Sequence, residues 1–148
     1  MPDVNVDVLV SQGSLNTATI GQSIGTDGCT MCVGIVAVMN DGTRYCAHFD
    51  CASQGTPAQL PQITAFTFNV LNNNIAGVPV AMGACTTANP NMSTGAILAG
   101  IEQFFATTTR YQTNGIYVDA AGVIKTVTGN SQVKGNTVAS VPLFQENL

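Results

Sequence analysis

Residues 26–51 read TDGCTMCVGIVAVMNDGTRYCAHFDC and hold four of the chain's five cysteines together with its only histidine. Three chemistries use such residues. Cys29-x2-Cys32, then fifteen intervening residues, then His48-x2-Cys51, has the spacing of two zinc knuckles joined by a hairpin, and tetrahedral zinc accepts three thiolates with one imidazole. A zinc-stabilised binding module is therefore one reading, although such modules are small domains short of a core and apolar segments run throughout this chain. Cys29-x2-Cys32 alone is also a thiol–disulfide motif, but no thioredoxin-like order of strands and helices surrounds it. The third chemistry is nucleophilic.

A cysteine thiol is only a few per cent thiolate at neutral pH, and a neighbouring imidazole that takes its proton creates an ion pair able to attack carbonyl carbon. The same imidazole then returns the proton to a leaving amine. Cys32 is the candidate nucleophile and His48 the candidate base, since the chain has no other histidine. Acyl transfer also needs N–H donors where charge develops on oxygen, and the loop amides of TDGCTM just before Cys32 are candidates. Thr26 and Asp27 lie in a Gly-rich stretch where turn or capping roles are ordinary, with Thr26 also placed to orient His48. Asp50 is either solvated at a strand end or a carboxylate orienting the imidazole. Cys46 and Cys85, in apolar strands, read as small core residues.

The elements around these residues decide which of them meet. CVGIVAVM, residues 32–39, is nearly all apolar and β-branched, as expected of a central strand covered on both faces. NDG breaks it and TRYCAHFD returns, which predicts a β-hairpin. With a three-residue loop and Gly42 left-handed, Met39 stands opposite Thr43 and His48 opposite Gly34. Cys32 then shares the face of His48 as its diagonal neighbour, roughly 5 to 8 Å away between β-carbons, and Cys29 and Cys51 have the opposite parity. A two-residue Asp41-Gly42 turn would swap the faces. Gly34, lacking a side chain, leaves room for the imidazole and for a substrate carbonyl.

Elsewhere, Val4, Val6, Val8 and Val10 alternate with Asn5, Asp7 and Leu9 as a half-buried strand. Residues 53–61 have loop composition. Residues 64–75, TAFTFNVLNNNI, fit both periods and are assigned to a helix, GVPVAMG to a short strand, and residues 93–108 to a second helix with Ser93 and Thr94 as N-cap hydroxyls. GIYVDAAGVIKTVTG predicts a second hairpin around Ala120, Ala121 and Gly122. This order predicts one α+β domain over residues 1–148, with a largely antiparallel mixed sheet and two or so packed helices.

Composition narrows the partners. Charged residues are 8% of the 148 against 45% hydrophobic, and the net charge is −4. Arg44, Arg110, Lys125 and Lys134 are scattered singly, so phosphates have no basic patch and nucleic acid is not an expected partner. No apolar run is long enough for a membrane span, and MPDVNVDVLV lacks the features of a secretory signal. Five cysteines cannot all pair within one chain, and a domain of this size needs no disulfide to fold, which points to a reducing compartment. The expected location is cytoplasmic, or exported as an effector by a route without a Sec signal. The oligomeric state is not legible.

Thr26, five residues, Cys32-Val33-Gly34 at the start of an apolar strand, a turn, and His48 sixteen residues after the cysteine form a pattern with a known counterpart. It resembles the chemoreceptor glutamine deamidases (CheD) and the catalytic domains of cytotoxic necrotizing factor-type toxins, which deamidate glutamine side chains of folded proteins with a Cys–His pair. The later order of helix, strand GVPVAMG, helix STGAILAGIEQFF and terminal hairpin also resembles CheD, so the similarity spans most of the chain. The resemblance implies a cysteine-dependent amidohydrolase without a cofactor or metal, acting on a protein substrate. Cys32 would be its nucleophile, His48 its base, and Thr26 the residue completing the site. The toxins carry their nucleophile in Ser-Gly-Cys-Thr, which DGCT at residues 27–30 resembles, and that match implies Cys29 as an alternative nucleophile. A non-catalytic member of the fold is the remaining alternative.

Overall fold

The computed structural model describes residues 3–29, 32–50, 57–86 and 91–143. Along the chain run β1 (Val4–Val6), β2 (Val8–Leu9), β3 (Ser14–Ala18), β4 (Ile24–Asp27), β5 (Val33–Met39) and β6 (Arg44–Phe49). A 3₁₀ turn (Pro57–Gln59) then leads into α1 (Leu60–Asn74), followed by β7 (Pro79–Cys85), α2 (Met92–Phe104), β8 (Thr109–Tyr111), β9 (Gly115–Val118), β10 (Ile124–Val127), β11 (Val133–Gly135) and β12 (Val141–Pro142). The fold is α+β, as the order of elements predicts.

All seven residues of β5 are buried because the strand is covered on both faces. Val33, Ile35, Ala37 and Met39 pack with Ala47 and Phe49 against Ile63 and Leu71 of α1 and Ile97 and Ile101 of α2. Val36 and Val38 point the other way, into a second core with Val8, Ile24, Ile116 and Val118. The layers are therefore two helices, a six-stranded sheet ordered β12-β3-β6-β5-β7-β8, and a four-stranded sheet ordered β10-β9-β4-β2. A strand with two apolar faces is what such a middle layer requires. Strands β3, β5, β6 and β7 pair antiparallel, while β7 with β8, β2 with β4 and β1 with β11 run parallel.

The predicted hairpin forms with the three-residue loop: Met39 N–H donates to the Thr43 carbonyl at 2.8 Å and Gly42 has φ +90°. That conformation strains any residue with a β-carbon. The register puts Gly34 opposite His48 and Val36 opposite Cys46. The second hairpin repeats the design around Gly122, at φ +88°.

Other expectations need correction. The valine run is two strands, because at Asp7 the chain bonds to Ser23 instead of a strand: Asp7 N–H donates to Ser23 Oγ and Asp7 Oδ2 accepts from Ser23 N–H, both at 2.8 Å. Val6, Val8 and Val10 are buried as the alternation predicts. Part of the expected loop at 53–61 lies outside the described residues, and α1 starts inside it with Pro61 in its first turn, where the missing N–H costs nothing. The cap of α2 is Asn91, whose side chain accepts from Thr94 N–H at 2.9 Å. Ser93 and Thr94 are buried inside the helix.

The cations are not loose charges. Arg110, Lys125 and Lys134 pair at the surface with Glu102, Asp119 and Asp3. Arg44 is 2% exposed and donates to four backbone carbonyls: Gly42 at 3.0 Å, Gln22 at 2.9 Å, Asp119 at 3.1 Å and Ala120 at 3.3 Å. Three turns, one from each predicted hairpin and one before β4, are thus tied together at one end of the sheets. Among the described residues no helix is long and apolar enough to cross a membrane.

Candidate functional site

The even-numbered face of the β5–β6 hairpin looks into the space between the two sheets, and the chemistry-bearing residues gather there. His48, on β6, is 1% exposed. Its Nδ1 lies 2.6 Å from Thr26 Oγ1, and the same hydroxyl donates to the Val10 carbonyl at 2.7 Å. A hydroxyl has one proton, so with that proton on Val10 it must accept from Nδ1–H. This fixes the tautomer by the bonding network and leaves the lone pair on Nε2. Nε2 is buried and makes no hydrogen bond. Burial depresses the imidazole pKa to about 4, with the nearby Asp50 carboxylate pulling the other way. At neutral pH the ring is uncharged, with its lone pair on the buried Nε2.

Cys32 precedes β5 by one residue, and the hairpin register continued by one step sets it opposite Asp50. The sulfur is a thiol outside any disulfide, 4% exposed. Its S–H points to Asp50 Oδ1 at 3.8 Å, and Gln12 Nε2–H donates to the sulfur at 3.6 Å. The sequence placed Cys32 on the face of His48, and the three-residue turn is the register that does so. Asp50 faces the thiol, while the bond at Nδ1 that orients the imidazole belongs to Thr26. Thr26 itself is in β4, fully buried, rather than in a loop.

The alternative nucleophile needs correction. Cys29 is joined to Cys85 by a disulfide, so its sulfur is not a thiol that could attack. Its assigned parity was also wrong, because Gly28, at φ +79°, turns the chain between β4 and Cys29 and breaks the alternation. Cys85, expected to be a plain core residue, is buried but bonded. Cys46 is a buried thiol whose pKa is pushed far up by desolvation, which makes it inert. Of the four residues with zinc-knuckle spacing, Cys51 lies outside the described residues and Cys29 is in the disulfide. Among the described residues no group of three His, Cys, Asp or Glu side chains is placed to hold a metal ion.

Gly34 serves a different purpose from the one its position suggests. A β-carbon there would stand 2.7 Å from Thr26 Cγ2, 2.8 Å from Cys29 Sγ and 2.9 Å from Cys85 Sγ. The room beside His48 is filled by the threonine methyl and the disulfide, not left for a substrate. Gly34→Ala should therefore destabilise the fold by about 1–3 kcal/mol through overpacking, measured by urea denaturation. Unchanged stability would mean that the two sheets can part at this point. The loop amides need a correction too: Cys29 N–H is committed to the Asn114 carbonyl at 2.8 Å, and residues 30 and 31 lie outside the described residues.

Gln12 is the residue that sequence reasoning missed. It belongs to no motif, and only the return of β3 beside β6 brings its turn to the site. No protein-family model matches this chain, and no characterised protein is detectably similar to it.

Proposed function

We propose that the protein is a cysteine-dependent amidohydrolase, a protein-glutamine deamidase in which Cys32 is the nucleophile and His48 the base. The observation that carries this reading is a buried imidazole held at Nδ1 by Thr26 and unpartnered at Nε2, on the same hairpin face as a thiol. Buried polar nitrogens are ordinarily hydrogen-bonded, since an orphaned one costs about 1–3 kcal/mol. The pattern resemblance to CheD-type deamidases points the same way.

The reaction follows from the groups present. Nε2 takes the Cys32 proton, and the thiolate attacks the side-chain carbonyl carbon of a substrate glutamine. Asp50, which favours the charged ring, stabilises the imidazolium as it forms. The imidazolium gives its proton to the nitrogen, the C–N bond breaks, and ammonia leaves a thioester on Cys32. His48 then deprotonates water, which attacks the thioester, and glutamate and the thiol are regenerated. No cofactor is needed at any step. The partner is a protein presenting a glutamine.

Candidate protein substrates incubated with the wild type should gain roughly one dalton per glutamine converted, the mark of amide-to-acid exchange through a thiol nucleophile. Cys32→Ser should give no gain. A gain that persists in Cys32→Ser, or a wild type whose Cys32 fails to react with iodoacetamide at neutral pH, would sink the proposal.

A further inference from the structure

Cys29 N–H is bonded elsewhere, and acyl transfer at Cys32 calls for a donor to the oxygen of the tetrahedral intermediate. We infer that the side-chain amide of Gln12 is that donor, a catalytic residue of the reaction proposed above, on which this inference rests. Three observations support it. The amide nitrogen already lies within hydrogen-bonding distance of the Cys32 sulfur, at 3.6 Å, and an oxyanion formed on a carbon bonded to that sulfur develops one bond farther out.

The turn that presents it is clamped from both sides to the site itself. Before it, Val10 N–H donates to the Gly25 carbonyl at 2.8 Å and the Val10 carbonyl accepts from Thr26. After it, Gly13 N–H donates to the His48 carbonyl at 2.9 Å, and the Gly13 carbonyl accepts from Leu143 N–H at 2.8 Å. The backbone that carries Gln12 therefore cannot move without disturbing the base and the residue that holds it. Finally, Gln12 is exposed whereas Cys32 and His48 are buried, so it is the polar group a substrate meets on reaching the sulfur. Rotation of its side chain moves the N–H from the sulfur of the resting thiol to the oxygen of the bound amide. A donor carried on this clamped turn needs only a side-chain rotation to meet the developing charge, beside a sulfur largely shielded from water.

The test separates carbonyl addition from plain thiol reactivity. Acylation of Cys32 by p-nitrophenyl acetate passes through an oxyanion, while alkylation by iodoacetamide does not. Gln12→Ala and Gln12→Glu should slow acylation by about tenfold or more. Alkylation of Cys32, followed by peptide mass on the high-pH plateau, should stay within about twofold of wild type and so report an intact site. Equal acylation rates in wild type and Gln12→Ala, with acylation still dependent on Cys32, overturn the inference and leave the nucleophile standing. Acylation equally fast in Cys32→Ser overturns both. Loss of alkylation together with acylation in both Gln12 variants overturns the donor role in favour of a structural one. Cys32-dependent conversion of Gln12 to glutamate on the intact protein also overturns it, since Gln12 would then be a substrate.

Discussion

Replacing Arg44 by methionine is expected to destabilise the fold by about 4 kcal/mol, seen as a drop in melting temperature of about 10 °C. The guanidinium is buried and its donors go to four carbonyls from three separate turns. Hydrogen bonds to a charged group contribute about 1.5–3 kcal/mol each, and a carbonyl left without a donor costs about 1–3 kcal/mol where it is buried and less at the exposed Gln22 and Ala120. The sum is offset by the desolvation that the charge no longer suffers, so the net lies well below the total of the four. Methionine fills the volume of the stem and removes every donor. Arg44→Lys should lose less, because an ammonium keeps three donors but cannot present the planar fork. A loss under about 1 kcal/mol in Arg44→Met would mean that water reaches the carbonyls. The consequence for the site is indirect but definite. Arg44 grips the carbonyl of Gly42, in the turn whose length decides whether Cys32 and His48 share a face.

The second large effect is a dependence of stability on pH that belongs to His48. Its pKa falls from 6.5 to about 4 on folding, so between those values the unfolded chain binds a proton that the native state does not. Stability then rises with pH across this window. The contribution is fully present above pH 6.5 and is lost on acidification, by about 2 kcal/mol at pH 5 and about 3 kcal/mol at pH 4. The carboxylates titrate in the same range, so the measurement is a difference. Urea denaturation of wild type and His48→Gln should give curves that converge, relative to their separation at pH 7, as the pH falls to 4. Parallel curves would show that His48 is charged in the native state or reached by water. The physical cause is burial: the ring is 1% exposed, and a charge on it would be held away from bulk water.

How much of this the sequence contained varies from one residue to the next. The hairpin was legible because NDG and the apolar run are local signals, and a left-handed glycine at position 42 closes the loop in one register. From that register alone, Cys32, His48 and Gly34 fall on one face. The second helix was legible too, since apolar residues recur at helical spacing after residue 93, whereas residues 64–75 fit both periods and Pro61, in the first turn of α1, read as loop. The sequence misjudged the helix limits: whether Asn91 or Ser93 caps α2 depends on where the chain arrives from β7, which no short window contains.

Tertiary structure alone decided the rest. Cys29 and Cys85 are 56 residues apart, yet their sulfurs bond over Gly34 because β7 runs beside β5. Thr26 reaches His48 because a second sheet is laid over the first, and Gln12 reaches Cys32 because β3 returns along β6. These meetings depend on how layers stack, and stacking is set by the summed burial of many side chains rather than by the residues that meet. Local pattern therefore determined the hairpin of this protein, while the polar partners of its thiol and imidazole came from long-range packing.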